Sequence, residues 1–126
     1  MTEFEKFYKR FAREHFADAE KVEFECEADE FFHSYYFHLI SSKTHEDLEQ
    51  CVDFFEDARE EFRTADPDAY VRAEVKFAND FHGHALENNF TTADQPFPSI
   101  DEVLHDTVTL KAYEVEKWRE EAEAAA

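Results

Sequence analysis

One glycine, Gly83, in 126 residues is the strongest constraint this sequence places on its fold. Sheets joined by tight turns use glycine where the backbone needs φ > 0, and this chain has almost none to use. The expected fold class is therefore all-α, a four- to five-helix compact bundle formed by a single domain spanning residues 1–126. Helix starts are marked along the chain. Thr2 with Glu5, Thr44 with Asp47 and Ser99 with Glu102 have the N-cap to N3 spacing of capping boxes, with Asp at N3 a weaker variant. Asp66-Pro67 sets a cap before a proline at the first helical position, where a missing N–H costs little.

Apolar spacing agrees with those starts. Phe4, Phe7, Tyr8, Phe11 and His15 share one helical face, as do Leu48, Cys51, Val52, Phe55, Ala58 and Phe62. After Pro67 the stripe is Tyr70, Ala73, Phe77, Phe81 and Ala85; after Ser99 it is Ile100, Val103, Leu104, Thr107, Val108, Val115 and Trp118. Residues 88–98 read as the longest loop, and 119–126, ending Glu-Ala-Ala-Ala, as a tail that frays. Residues 21–40 support two readings. Val22 to Ala28 alternates as a half-buried strand does and Tyr35 to Ile40 is rich in β-formers, so a β-hairpin, giving an α+β fold, is open. Phe24, Ala28, Phe31, Tyr35 and Leu39 also keep helical spacing, and helix is favoured because a lone two-stranded hairpin is marginal.

Charge bears on partners rather than on fold. The formal net charge is -19, and residues 1–21 are neutral, with five bases and five acids. The remaining 105 residues set eight bases against 27 acids. Such a field repels nucleic acid and anionic membranes and attracts proteins whose surfaces are built to hold phosphates. Adaptation to a salt-rich cytoplasm is the other explanation; seven lysines and 15 phenylalanines weigh against it, because that adaptation depletes lysine and bulky apolar residues. No secretory leader or membrane span is expected, and the expected location is the cytoplasm, that of a host if the chain is phage-encoded. Cys26 and Cys51 read as small buried hydrophobes of a reducing compartment.

The most specific functional signal follows Thr44. Projected at 100° per residue, the face opposite the core stripe carries Glu46, Glu49, Asp53, Glu56, Asp57, Glu60 and Glu61, with no base among them. A solvated helix gains a few tenths of a kcal/mol from each Glu–Lys pair at i, i+4, and this one forgoes it. The row Glu46, Glu49, Asp53, Glu56, Glu60 advances about 5 Å per step, so its carboxylates can imitate the phosphates of one strand. Glu23, Glu25 and Glu27, with Asp29 and Glu30, offer a second row, and Glu114, Glu116, Glu120, Glu121 and Glu123 a third.

Three other constellations are weaker. Lys6, Lys9, Arg10 and Arg13 form a basic ridge, read as intramolecular neutralisation or, alternatively, as a homodimer contact with the acidic face of a second copy. Glu30-Phe-Phe-His33 and Glu102-Val-Leu-His105, with Glu14, have the elements of a di-iron carboxylate site, but their wheels place those ligands opposite the apolar stripes, facing out. His82-Gly83-His84 reads as a kinked, exposed pair, His15 as a core or boundary histidine, and Tyr35, Tyr36 and Trp118 as possible interface anchors. No nucleophile motif or phosphate-binding glycine loop occurs, so catalytic residues, metal and cofactors are expected to be absent.

In charge and size the chain resembles the phage and plasmid proteins that imitate DNA to inhibit restriction enzymes, CRISPR effectors, uracil-DNA glycosylase or nucleoid proteins. No motif carries that resemblance, so no residue role comes with it. It implies a non-catalytic inhibitor, of anti-restriction or anti-CRISPR type, that blocks the DNA or RNA site of a protein with a basic groove. The alternative is an acidic helical adaptor of a salt-adapted organism, and a third reading is a di-iron carboxylate protein.

Overall fold

Three of the four expected caps start the helices they mark. Thr44 Oγ1 accepts from the Asp47 N–H at 3.1 Å, an Asp66 carboxylate oxygen from the Ala69 N–H at 3.1 Å with Pro67 following, and Ser99 Oγ from the Glu102 N–H at 3.2 Å. The computed structural model describes residues 3–16, 27–95 and 98–125, so the Thr2 cap lies outside the described residues. The elements are α1 (Glu3–His15), a single 3-10 turn (Ala28–Glu30), α2 (Phe31–Ser41), α3 (His45–Ala65), α4 (Pro67–Glu87) and α5 (Ile100–Ala125). No strand occurs among the described residues, and none of the helices is long and apolar enough to cross a membrane.

The hairpin reading is overturned for 31–41, which is helix; 21–26 lies outside the described residues. The physical reason is position. α2 packs against all four other helices, so every residue from Phe31 to Phe37 is buried, together with Leu39. A helix buried all round reads in sequence as a continuous apolar run, which periodicity cannot separate from a buried strand. For the same reason Tyr35 and Tyr36 are core residues and not interface anchors. Tyr35 stacks on Phe55 with ring centroids 3.6 Å apart, while Tyr36 meets Tyr8, Phe11, Phe77 and Phe81.

The apolar stripes of α1, α3, α4 and α5 all pack against α2. Phe7, Tyr8, Phe11, Leu48, Cys51, Phe55, Tyr70, Phe77, Phe81, Val103 and Leu104 are all buried. Burial pushes the Cys51 thiol pKa up to about 12, which makes it a packing group rather than a nucleophile at neutral pH. The last turns of α5, 119–125, are helical and exposed.

Where a helix must end in a left-handed residue, the chain uses asparagine. Asn89, just past α4, has φ 57°, and the Phe90 N–H returns to the Ala85 carbonyl at 2.8 Å, the arrangement usually filled by glycine. Phe90 then lies parallel to Phe7, with centroids 5.3 Å apart. Gly83, by contrast, sits within α4, exposed, with nothing within 4 Å of where a Cβ would stand. Glycine there only widens the unfolded ensemble, so Gly83→Ala is expected to raise stability by about 0.5–1 kcal/mol, read as a higher urea midpoint with unchanged slope.

Candidate functional site

The core stripe of α3 fixes where its acids point. Leu48, Cys51 and Phe55 are buried, and Glu46, Glu49, Asp53, Glu56, Asp57, Glu60 and Glu61 on the opposite side are all exposed. Most of the ion pairs among the described residues lie away from that face. Lys6 pairs with Glu3 at 3.4 Å, Lys9 with Glu114 at 3.1 Å, Arg59 with Asp101 at 2.7 Å and Arg119 with Glu123 at 3.4 Å; Lys76 holds Glu30. Among the described residues the one ion pair that reaches the α3 face is Arg63 to Glu60, at 3.8 Å, and the Arg63 guanidinium also donates to the Tyr70 hydroxyl at 3.3 Å. Phe54, 49% exposed, flanks the row and borders an open groove of about 390 Å³ lined by His38, Ser42, Asp47, Gln50 and Cys51.

The other two acidic rows do not match the first. Glu23 and Glu25 lie outside the described residues; Glu27 is exposed, just before the 3-10 turn. The α5 row is broken at its start. Glu114 is buried at 8% exposure, Glu116 contacts His45 at 2.7 Å, and only the acids towards the end of the helix face solvent freely.

Glu114 belongs to a buried polar network that sequence patterning misses. Tyr8 Oη donates to Glu114 Oε2 at 2.9 Å, Lys9 Nζ donates to Oε1 at 3.1 Å, and Lys111 Nζ stands 3.6 Å from Oε2. Lys111 is 1% exposed, donates to the Ile40 carbonyl at 2.8 Å and lies over the Trp118 ring at 4.7 Å. Burial acts to raise the Glu114 pKa, but the hydrogen bonds from Lys9 and Tyr8 and the Lys111 charge outweigh it, and the carboxyl is held below its ordinary value. Burial lowers the Lys111 pKa against the pull of Glu114, and burial together with Glu114 raises that of Tyr8. The spacing of Lys111 and Glu114 at i, i+3 is the only sequence signal of this pair. Of the α1 ridge, Lys9 is thereby engaged inside the molecule, and Arg10 donates to the Asn88 amide oxygen.

The wheel placement of His33 is corrected. Because α2 has no outward face, His33 is buried at 1% exposure, and its Nε2 is 2.9 Å from Asp80 Oδ2 on α4. Burial lowers its pKa against the opposing effects of Glu30 and Asp80. Glu102 and His105 are exposed on α5 and Glu14 contacts His84 at 3.0 Å, so the two Glu-x-x-His motifs do not face one another inside the bundle. His82 and His84 lie within α4 and are half-buried, not a kinked exposed pair.

Among the described residues four helices surround a central apolar one, and with an acidic face met by one ion pair they define the class as an acidic all-α domain. Comparison with family models, with curated proteins and with solved structures finds no match for this chain.

Proposed function

We propose that the chain is a non-catalytic inhibitor or regulator whose α3 face occupies the nucleic-acid site of a protein with a basic groove. The observation that carries this reading is that seven exposed carboxylates share one side of α3 and, among the described residues, a single ion pair, Arg63 to Glu60, reaches that face. The mechanism is competitive. Lys and Arg side chains that ordinarily contact phosphates meet Glu and Asp instead, along a rigid row stepping about 5 Å at a time. Association is fast, electrostatically steered and weakened by salt. The exposed Phe54 ring beside the groove gives an arginine side chain an aromatic face to lie on at the edge of the row.

The test is capture from a bacterial lysate by the tagged chain at low and at physiological salt, followed by DNA competition on what binds. A nucleic-acid-binding protein that DNA displaces supports the reading. If no basic partner is retained, the charge is solvent adaptation. With a partner in hand, Glu49→Lys, Asp53→Lys and Glu56→Lys combined should slow association by about 10- to 1,000-fold and leave the helical circular dichroism intact. An unchanged association rate sinks the assignment to α3.

A further inference from the structure

We propose a second site, independent of the acidic face: a divalent transition-metal site, with zinc(II) the best match, held by His15 of α1, His33 of α2 and Asp80 of α4. Each of the three offers a ligand atom, and these atoms all lie within 4.8 Å of one another. Around a zinc ion with bonds of about 2.0–2.2 Å, ligand atoms sit about 3.4 Å apart, so small side-chain rotations suffice to close the set. His33 Nε2 and Asp80 Oδ2, at 2.9 Å, already stand that close.

Hydrogen bonds behind the ligands point the same way. His15 Nδ1 lies 3.1 Å from the Phe11 carbonyl; a carbonyl only accepts, so Nδ1 carries the proton and Nε2 keeps its lone pair. His33 stands between two carboxylates: its Nε2 lies 2.9 Å from Asp80 Oδ2, while Nδ1 is buried without a hydrogen-bond partner among the described residues, 3.7 Å from Glu30 Oε2. With a cation at Nε2, the ring proton sits on Nδ1 and points at Glu30, whose other oxygen Lys76 holds in place. That is the carboxylate–histidine–metal arrangement that orients and strengthens an imidazole ligand.

Two imidazoles and one carboxylate suit zinc and its neighbours rather than calcium or magnesium, which prefer all-oxygen shells. The fourth position falls to water or to His84, whose ring centroid is 4.7 Å from that of His15. An ion there ties together three helices, α1, α2 and α4, at a point where the His33–Asp80 bond links only two of them.

The experiment uses the full chain, stripped with EDTA and dialysed, and titrated calorimetrically with Zn²⁺, with Co²⁺ as a spectroscopic probe. Expected are saturation at about one ion per chain, visible Co²⁺ bands of nitrogen and oxygen ligation, and a higher melting temperature. His33 variants risk misfolding because the ring is buried, so the informative changes are His15→Gln and Asp80→Asn. Each should weaken Zn²⁺ binding by about 100-fold, while His105→Ala, at an exposed histidine, leaves it unchanged. Lack of saturable uptake overturns the site, as does binding that survives both substitutions or follows His105, because the carboxylate surface would then be the binder.

Discussion

Glu114→Ala is expected to lower the unfolding free energy by about 3–5 kcal/mol, an effect out of proportion to a single glutamate in so acidic a chain. The carboxylate is the shared acceptor of the Tyr8 hydroxyl and the Lys9 ammonium and the nearest counter-charge to Lys111, which is 1% exposed. Its removal strands a buried ammonium, and burying an unpaired charge costs far more than the pair returns. Glu114→Gln keeps shape and hydrogen-bonding capacity but not charge, and should fall between alanine and wild type. Lys111→Met should cost least of the three, because methionine refills the space of the stem and Glu114 keeps Tyr8 and Lys9. Urea unfolding followed by helical circular dichroism orders the three; a Lys111→Met loss as large as that of Glu114→Ala would mean that the lysine stem, not the charge pairing, supplies the stability.

The same network fixes a pH dependence. The Glu114 carboxyl has its pKa depressed in the folded state, so its contribution is complete above the ordinary carboxylate value and is lost as pH falls through the folded one. The gap between wild type and Glu114→Gln should therefore close in acid. Lys111, lowered by burial, acts in a different window. The unfolded chain holds that proton more tightly, so stability rises as pH climbs from the folded pKa towards the ordinary lysine value.

How much of this was legible in the sequence depends on the helix. α1 and α4 each have one wet side, so Phe7, Tyr8 and Phe11, and Tyr70, Ala73, Phe77, Phe81 and Ala85, could be read from spacing and are buried. The acidic face of α3 follows from the same reasoning, since fixing the buried side fixes the exposed one. α2 defeats it. A helical wheel assigns outward positions by assuming that one side is wet, and with Phe31 to Phe37 all buried that assumption put His33 at the surface. Its partner Asp80 lies 47 residues away in sequence and no local pattern links them. Lys111 and Glu114 were hidden for a related reason: charged residues on an amphipathic helix are assigned to solvent unless a partner is known, and Tyr8 and Lys9 stand at the far end of the chain.

Phe77→Ala is expected to cost about 3–5 kcal/mol, through the lost transfer of the ring and the cavity it leaves. Phe77 is fully buried and sits where α4 meets α1 and α2, with ring centroids 6.0 Å from Phe11, 6.2 Å from Phe32, 5.2 Å from His33, 5.7 Å from Tyr36 and 5.8 Å from Phe81. Those neighbours are themselves rings held on three helices, so collapse into the vacated space requires several stacked and edge-on contacts to shift together, which places the cost towards the upper end of that range. Tyr113→Ala, at 67% exposure, is the matched aromatic truncation on the surface and should stay within about 0.5 kcal/mol of wild type. In urea the Phe77 variant should shift the midpoint and not the slope, because the surface exposed on unfolding is nearly unchanged. A small shift with a broadened transition would instead mean that the aromatic core adapts by rearranging, as a core specified by hydrophobicity more than by shape would do.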